Sequence, residues 1–524
     1  MKPIYYRDHL ILPADNRIAV MVPHAKTIVH PDTGEPVMVV PHKLDETQVL
    51  RNLGYEVTPP VMMSYKFPAP LDQPPYDAQR VTTALITTHK RSFVLNGLGT
   101  GKTRSALWAY DYQRQLAGGK GQALIVAPLS TLHQTWKREV TTVFPHLKCE
   151  VMHGSRAKRL KILNESDADV LVINHDGVET IYEELMAAAP KFLLCVLDEL
   201  SVYANSRTDM WKKTNKVVAL IDRVVGMTAT PMTNDATSAY GQIKMLAPQN
   251  LRDMSFTRFR EFTMKKLTNF RWCNQRDALD KVHAMMQPSV RFTRDECYDM
   301  PPCQMLTWEA TLPEKTRAMI HQLQDQGAIQ SMNIKAANAA DVINKCLQVS
   351  LGVVYDADHN EHETATGDRY DLLDTAIEQS NSKVIVFTPY KSTLKRLVAH
   401  VSKKYSCAVV SGDVPQRQRE HIFTAFMQSP DPQVLLAHPE CMSHGLTLTE
   451  ASTIVWFGPP QSLETFEQAN GRITRAGQKH SQLIIQLVAT KLEKKIFSLL
   501  RARANVQQKL LEMFESQDTG DLRE

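Results

Sequence analysis

The chain lacks every cysteine pattern that commonly holds a structural metal. Its eight cysteines, at positions 149, 195, 273, 297, 303, 346, 407 and 441, are scattered and no CxxC occurs. That argues against a structural zinc site, and reduced, buried thiols are expected instead. Long hydrophobic runs are also missing. No apolar stretch approaches the ~18 residues of a membrane-crossing helix. The opening Met1-Lys-Pro-Ile-Tyr-Tyr-Arg-Asp has no apolar signal core. A soluble, intracellular chain without membrane contact is expected. Strong charge of either sign is absent: 61 Lys+Arg stand against 56 Asp+Glu, a net charge of +5. Bulk charge therefore neither demands nor excludes nucleic acid; only its distribution can say. No short internal repeat is visible.

What is present is size and apolar content. The 524 residues are 43% hydrophobic, enough for large cores and roughly two to four domains. Residues 1–72 read as a small accessory domain. Ile18 to Val22 and Val37 to Val40 are expected as short strands, with Pro31-Asp-Thr-Gly34 as a turn between them. Leu44 to Leu53 is expected as a helix stopped by Gly54. Over 73–245, short apolar runs alternate with helical patterns: Phe93–Leu95, Ala123–Val126, Val170–Ile173, Phe192–Leu197 and Arg223–Val225. The texture returns over 381–492 at Lys383–Phe387, Ala408–Val410, Val434–Leu436, Thr453–Phe457 and Leu483–Leu487. Continuous apolar runs separated by helices indicate buried parallel sheets, so the class is α/β with two lobes. Residues 246–380 read as helical additions and linker. Phe256, Phe259 and Phe262 there are expected in a core, and the cations among them, Arg258, Arg260, Lys265 and Lys266, are compatible with a solvated face. Tyr355 to Tyr370 reads as an exposed loop. Residues 493–524 read as a charged helix and an acidic tail.

Chemistry concentrates at few places. Asn96-Gly-Leu-Gly99-Thr-Gly101-Lys102-Thr103 follows a strand and opens a helix, the context of a phosphate-cradling loop. Lys102 is suited to the β- and γ-phosphates and Thr103 to Mg²⁺. Phe192 to Leu197 ends in Asp198-Glu199. Asp198 suits the outer shell of Mg²⁺ and Glu199 the role of general base, although an acidic pair here also starts helices. Gln79, just upstream of the loop, can read an adenine edge with its amide. Far downstream, Gln468-Ala-Asn-Gly-Arg472-Ile-Thr-Arg475-Ala-Gly-Gln478 carries two arginines three residues apart. A guanidinium fork fits a transferring phosphate. Arg156, Lys158, Arg159 and Lys161 form a local basic cluster, open between DNA contact and solvated face.

In their order these segments resemble superfamily II helicase-type ATPases, and within them the Swi/Snf family of DNA translocases. Ile125 to Glu139 resembles segment Ia, Ile173-Asn-His175 Ib, Gly226 to Asn234 III, Val384 to Thr393 IV, His444 to Ala451 V and Gln468 to Gln478 VI. Ser411-Gly-Asp413 resembles the segment after IV. Val290-Arg291-Phe-Thr-Arg294, followed by Met300-Pro-Pro302, resembles the family's Arg-rich stretch before a Leu-Pro-Pro. The sequence departs from the pattern at Asn96, where the strict phosphate loop has glycine, at His444, and at Phe457 to Ser462, where the family has acidic-Trp-Trp-Asn.

The resemblance implies two RecA-like parallel-sheet lobes with helical insertions, and ATP and Mg²⁺ as cofactors. It assigns phosphate binding to Gly99, Gly101 and Lys102, magnesium to Thr103 and Asp198, base catalysis to Glu199, and arginine fingers to Arg472 and Arg475. Gly445, Thr447 and Gln468 would line the cleft between the lobes. Ser130, Thr131, His133, Lys137, Thr388 and Lys391 fall where the family contacts nucleic-acid phosphates. The expected activity is ATP-driven movement on DNA, whether double-stranded, single-stranded or forked. Replication, recombination, repair and remodelling of protein–DNA complexes are its settings. A fork-unwinding or annealing helicase is one alternative. A regulatory factor that binds a polymerase or replisome is another. A compact monomer in the cytoplasm of a bacterial or virus-infected cell is expected.

Overall fold

In a computed structural model, residues 3–31, 33–71, 73–232, 235–268, 272–294, 296–297, 301–442, 448–460, 462–474 and 478–515 are described, with side chains to residue 504. The chain divides into two compact units, which meet in sequence between residues 298 and 299.

The first unit is built on a seven-stranded parallel sheet. Its order is Ser289–Val290, Arg91–Val94, Val224–Met227, Phe192–Asp198, Gln122–Ala127, Val170–Asn174, Cys149–Met152. Successive side chains of a strand point to opposite faces, and here both faces are covered. Phe93, Leu95, Leu124, Val126, Leu171 and Ile173 enter one core, while Val94, Ala123, Ile125, Ala127, Val170 and Val172 enter the other. Two-sided burial is why these strands read as unbroken apolar runs.

Ahead of this sheet lies a four-stranded antiparallel one, ordered Ile4–Tyr6, His9–Pro13, Pro36–Pro41, Lys26–Val29. The expected strand at Ile18–Val22 is instead the helix Asn16–Met21, capped by the Asp15 carboxylate on the Arg17 amide. Ile18 and Val22, four residues apart, are buried, while Val20 is 83% exposed; the period is helical. Between Lys26–Val29 and Pro36–Pro41, where the turn is expected, the Gly34 amide donates to the His30 carbonyl at 3.0 Å and Gly34 sits at φ +70°; residue 32 lies outside the described residues. The segment after it is fastened to the large lobe: Val61, Tyr65 and Phe67 join its core, and Trp108 Nε1 donates to the Pro68 carbonyl at 2.8 Å.

The second unit carries a six-stranded parallel sheet: Cys303–Glu309, Gln482–Val488, Ala451–Trp456, Lys383–Phe387, Val434–Ala437, Cys407–Val410. Its two faces divide in the same way, Ile385, Phe387, Leu435 and Ile454 to one core and Val384, Val386, Leu436 and Val455 to the other.

The stretch 246–380 is not one helical insertion. Its first part, through Ser289–Val290, belongs to the first unit, and Cys303–Glu309 onward belongs to the second. Only Phe259 of the three expected core aromatics is fully buried; Phe262 is 39% exposed. A three-residue spacing drifts 60° per step around a helix, so the third ring leaves the buried face. The expected exposed loop from Tyr355 contains a hairpin, Val353–Tyr355 with Glu361–Glu363. Asp356 holds its turn, accepting from the Asp358 and Asn360 amides and contacting His362 Nε2 at 2.9 Å. None of the eight cysteines is in a disulfide; Cys195 is buried and its thiol is pushed up to about 12, whereas Cys303 is exposed.

Candidate nucleotide site

The carboxyl ends of three neighbouring strands in the first unit bring the expected nucleotide residues together. Met227 is paired with Val94 on one side and Asp198 on the other. The phosphate loop, Thr228 and the acidic pair therefore leave the sheet at one edge. Open parallel sheets bind ligands at that edge.

The loop ends at Gly101, which caps the helix Lys102–Leu116 with φ +81°. That left-handed φ favours glycine, and a Cβ on Gly101 would stand 1.8 Å from Gln79 Nε2, so the Gln79 amide would have to move. Gln79 is 4% exposed and its Oε1 accepts the Tyr76 amide at 3.0 Å, closing the first turn of the helix Asp77–Thr88. The Lys102 ammonium donates to the carbonyls of Asn96 and Gly97 at 2.9 and 3.0 Å. It folds back over the loop that phosphate oxygens would enter.

Asn96, the departure from the strict loop pattern, is a structural tie. Its Nδ2 donates to Thr82 Oγ1 at 2.8 Å, and its Oδ1 accepts the Phe292 amide at 3.0 Å. Arg291 adds a second clamp, donating to the carbonyls of Leu95 and Phe292. The Arg-rich stretch thus extends the sheet and braces the loop from outside. Sequence reading placed this stretch in a family pattern but missed this role.

Asp198 closes its strand with Oδ2 accepting Trp136 Nε1 at 3.0 Å and Oδ1 accepting the Glu199 amide at 3.2 Å. Burial pushes its carboxyl above the usual aspartate range, against the Trp136 hydrogen bond and the nearby Lys102 charge. A bound cation would reverse that shift. The available donors are hard oxygens, the Asp198 carboxylate and the Thr103 hydroxyl. Among the described residues no cluster of three or more His, Cys, Asp or Glu forms a closed cage. That set fits Mg²⁺, which completes its octahedron with phosphate oxygens and water. Glu199 sits at φ +54°, a left-handed conformation that is costly for a side chain of its kind and concentrates at functional positions.

Of the expected nucleic-acid residues in this unit, Ser130 and His133 are exposed and Lys137 is half-buried. Thr131 is buried, with its hydroxyl donated to the Pro128 carbonyl. The helix beyond opens as a π turn, Leu132–Lys137, a feature frequent at functional sites. Trp136, fully buried on that turn, links this segment to Asp198. The basic cluster splits. Arg159 is buried on the Met152 and Gly154 carbonyls and Asn174 Oδ1, and Arg156 pairs with Glu184, leaving Lys158 and Lys161 exposed.

In the second unit Lys391 is exposed and pairs with Asp413 at 2.7 Å, while Thr388 is fully buried. Gln468 is buried on the helix Leu463–Asn470, its Nε2 donating to Glu464 at 3.1 Å. Arg472 is 1% exposed and its carbonyl accepts the Leu448 amide. Gln478 is structural: it donates to the Ala451 and Ile473 carbonyls and accepts the Lys479 and His480 amides. Gly445, Thr447 and Arg475 lie outside the described residues.

Sequence comparison bears on the whole chain. Residues 90–356 match the SNF2-related domain and residues 368–477 the helicase conserved C-terminal domain. The chain is 25% identical over 458 residues to protein p41 of Acyrthosiphon pisum secondary endosymbiont phage 1, covering 82% of this chain and 96% of that one. It is 24% identical to mouse DNA annealing helicase and endonuclease ZRANB3, covering 79% of this chain and 38% of the mouse protein. It is 22% identical to the Drosophila SWI/SNF-related matrix-associated actin-dependent regulator of chromatin subfamily A-like protein 1, covering 77% and 51%. The chain thus spans about half or less of these two animal relatives. Among solved structures, the Sulfolobus solfataricus SWI2/SNF2 ATPase core in complex with dsDNA is 18% identical, covers 87% of this chain and 97% of that one, and superposes with a TM-score of 0.39. The chain belongs to the SNF2-related domain family and is a helicase-type ATPase of superfamily II.

Proposed function

We propose that this protein is an ATP- and Mg²⁺-dependent motor that moves along DNA, with ATP turnover coupled to closure of its two lobes. The observation that carries the reading is the row Val94, Met227, Asp198, which sets the phosphate loop beside the acidic pair. Lys102, released from the Asn96 and Gly97 carbonyls, neutralises the β- and γ-phosphates. The loop amides and the helix N-terminus behind them hold the remaining oxygens. Gln79, already fixed beside Gly101, orients the base. Glu199 takes the proton of the attacking water. Thr103 and Asp198 hold Mg²⁺, whose charge offsets that of the phosphates. Arg472 and Arg475 serve as arginine fingers, a contribution of about 10³ or more in rate. Ser130, His133, Lys137 and Lys391 grip the DNA backbone, which needs no base reading because a motor must pass over any sequence.

A second reading, strand annealing at forks, is favoured by the name of the mouse relative. ATP turnover measured with single-stranded, double-stranded and forked DNA, with RNA as control, tests the motor. Triplex displacement without fork reannealing is expected for a translocase. Fork reannealing without triplex displacement would support the second reading. Turnover unaffected by any DNA would sink both.

A further inference from the structure

The helix Phe256–Thr263 and the hairpin Met264–Lys266 with Trp272–Asn274 carry a ladder of alternating cations and rings. Arg207 stands over Phe256 at 5.3 Å; Arg260 stands between Phe256 and Trp272, 6.0 and 4.4 Å from their centroids. Lys266 is the cross-strand partner of Trp272. Arg207 and Lys266 are exposed; Arg258, about 200° round the helix from Arg260, and Lys265, on the other side of its strand from Lys266, fall outside the ladder.

Nothing in the fold uses most of this charge. Among the described residues none of the three ladder cations, Arg207, Arg260 and Lys266, has a carboxylate within 4.0 Å, whereas Lys281, close by, pairs with Asp277 at 2.9 Å. Arg260 Nε is buried without an acceptor. Glu261, the nearest acid in sequence, points 100° further round the helix. Stacking explains why Arg260 sits on Trp272. It accounts in the same way for Arg207 on Phe256, and leaves the charge of all three cations, Lys266 included, without a counter-ion. A guanidinium held flat on a ring keeps its N–H donors aimed outward in their plane, ready for phosphate oxygens. Cations interleaved with rings on one ridge are the footprint of a nucleic-acid backbone site.

We propose that this ridge is a second contact for the phosphate backbone of duplex DNA, additional to the segments Ser130–Lys137 and Thr388–Lys391. It rests on the reading of the protein as a DNA motor. Arg260 and Arg207 supply the oriented forks, Lys266 supplies a point charge, and the rings hold the register.

Each phosphate neutralised adds about 0.9 to the slope of log affinity against log salt. The double reversal Arg207→Glu, Lys266→Glu should therefore lower that slope by about 2 in duplex binding by the full chain. The same charge change at exposed Lys120 and Lys191 should leave the slope at the wild-type value. Circular dichroism checks folding, and alanine replacements of Arg207 and Lys266 keep the test should the reversals disturb the fold. A wild-type slope in the ridge variant, or equal losses in both variants, would overturn the ridge. A wild-type protein that neither binds duplex DNA nor is stimulated by it would overturn the motor reading itself.

Discussion

Asn96→Gly restores the glycine that a strict phosphate loop has at this position, and it should destabilise the protein. Asn96 is 1% exposed, and its amide joins the helix Asp77–Thr88 to the Arg-rich stretch through Thr82 and Phe292. Removing it leaves the Phe292 N–H without its acceptor, a cost of about 1–3 kcal/mol. The bond to Thr82 contributes about 0.5–1.5 kcal/mol more, and the looser glycine backbone about 0.5–1. Together they predict a loss of about 2–5 kcal/mol. At about 2–4 °C per kcal/mol, calorimetry should show the first unit melting at least several degrees lower. Asn96→Asp should fail as well. Its carboxylate still accepts from Phe292, but the Thr82 hydroxyl is already donated to the Ala78 carbonyl at 2.7 Å, so two acceptors would face each other in a buried space. Lys102 keeps both backbone acceptors in either variant, so turnover at low temperature should survive. A glycine variant that melts within about a degree of wild type would refute the tie.

In the second unit, Arg369 and Glu493 form a fully buried pair in which Arg369 Nη2 donates to both carboxylate oxygens, at 2.8 and 2.9 Å, with Ser350 and the Ala489 and Thr490 amides also on the carboxylate. Glu493→Ala strands a buried guanidinium and should cost about 3–5 kcal/mol by calorimetry, whereas Arg369→Met with Glu493→Leu should recover much of it; equal loss in single and double variants would contradict this. Burial holds His175 and His89 at about 4, below the ordinary 6.5. Their stabilising effect is full above pH 6.5 and is lost as pH falls towards 4. His175→Gln should flatten that part of the melting profile, and an unchanged profile would argue against the buried neutral ring.

How much of this was legible depended on where burial writes itself into sequence. Strands covered on both faces, such as Val170–Asn174 and Lys383–Phe387, stand out as apolar runs. Ser289–Val290 has two residues and no run to show. Cys303–Glu309 is largely exposed at a sheet edge, so its pattern carries little apolar signal. Ile18–Val22 is β-branched at its ends, yet the Asp15 cap and the i, i+4 pair decide for helix. The phosphate loop and the acidic pair were legible because their chemistry requires particular residues at fixed spacing. The roles of Asn96, Arg291, Arg369 and Glu493 were not, because a polar or charged residue reads as solvent-facing until the fold supplies its partners.

The central claim is that the row at the sheet edge hydrolyses ATP in response to DNA. Its most direct test is ATP turnover by the wild type and Glu199→Gln, with and without duplex DNA, beside a nucleotide-binding measurement. The account predicts DNA-stimulated turnover in the wild type, and retained ATP binding with turnover lowered about 10²–10⁴-fold in the variant. Wild-type turnover by Glu199→Gln, or no response of the wild type to DNA, would contradict it.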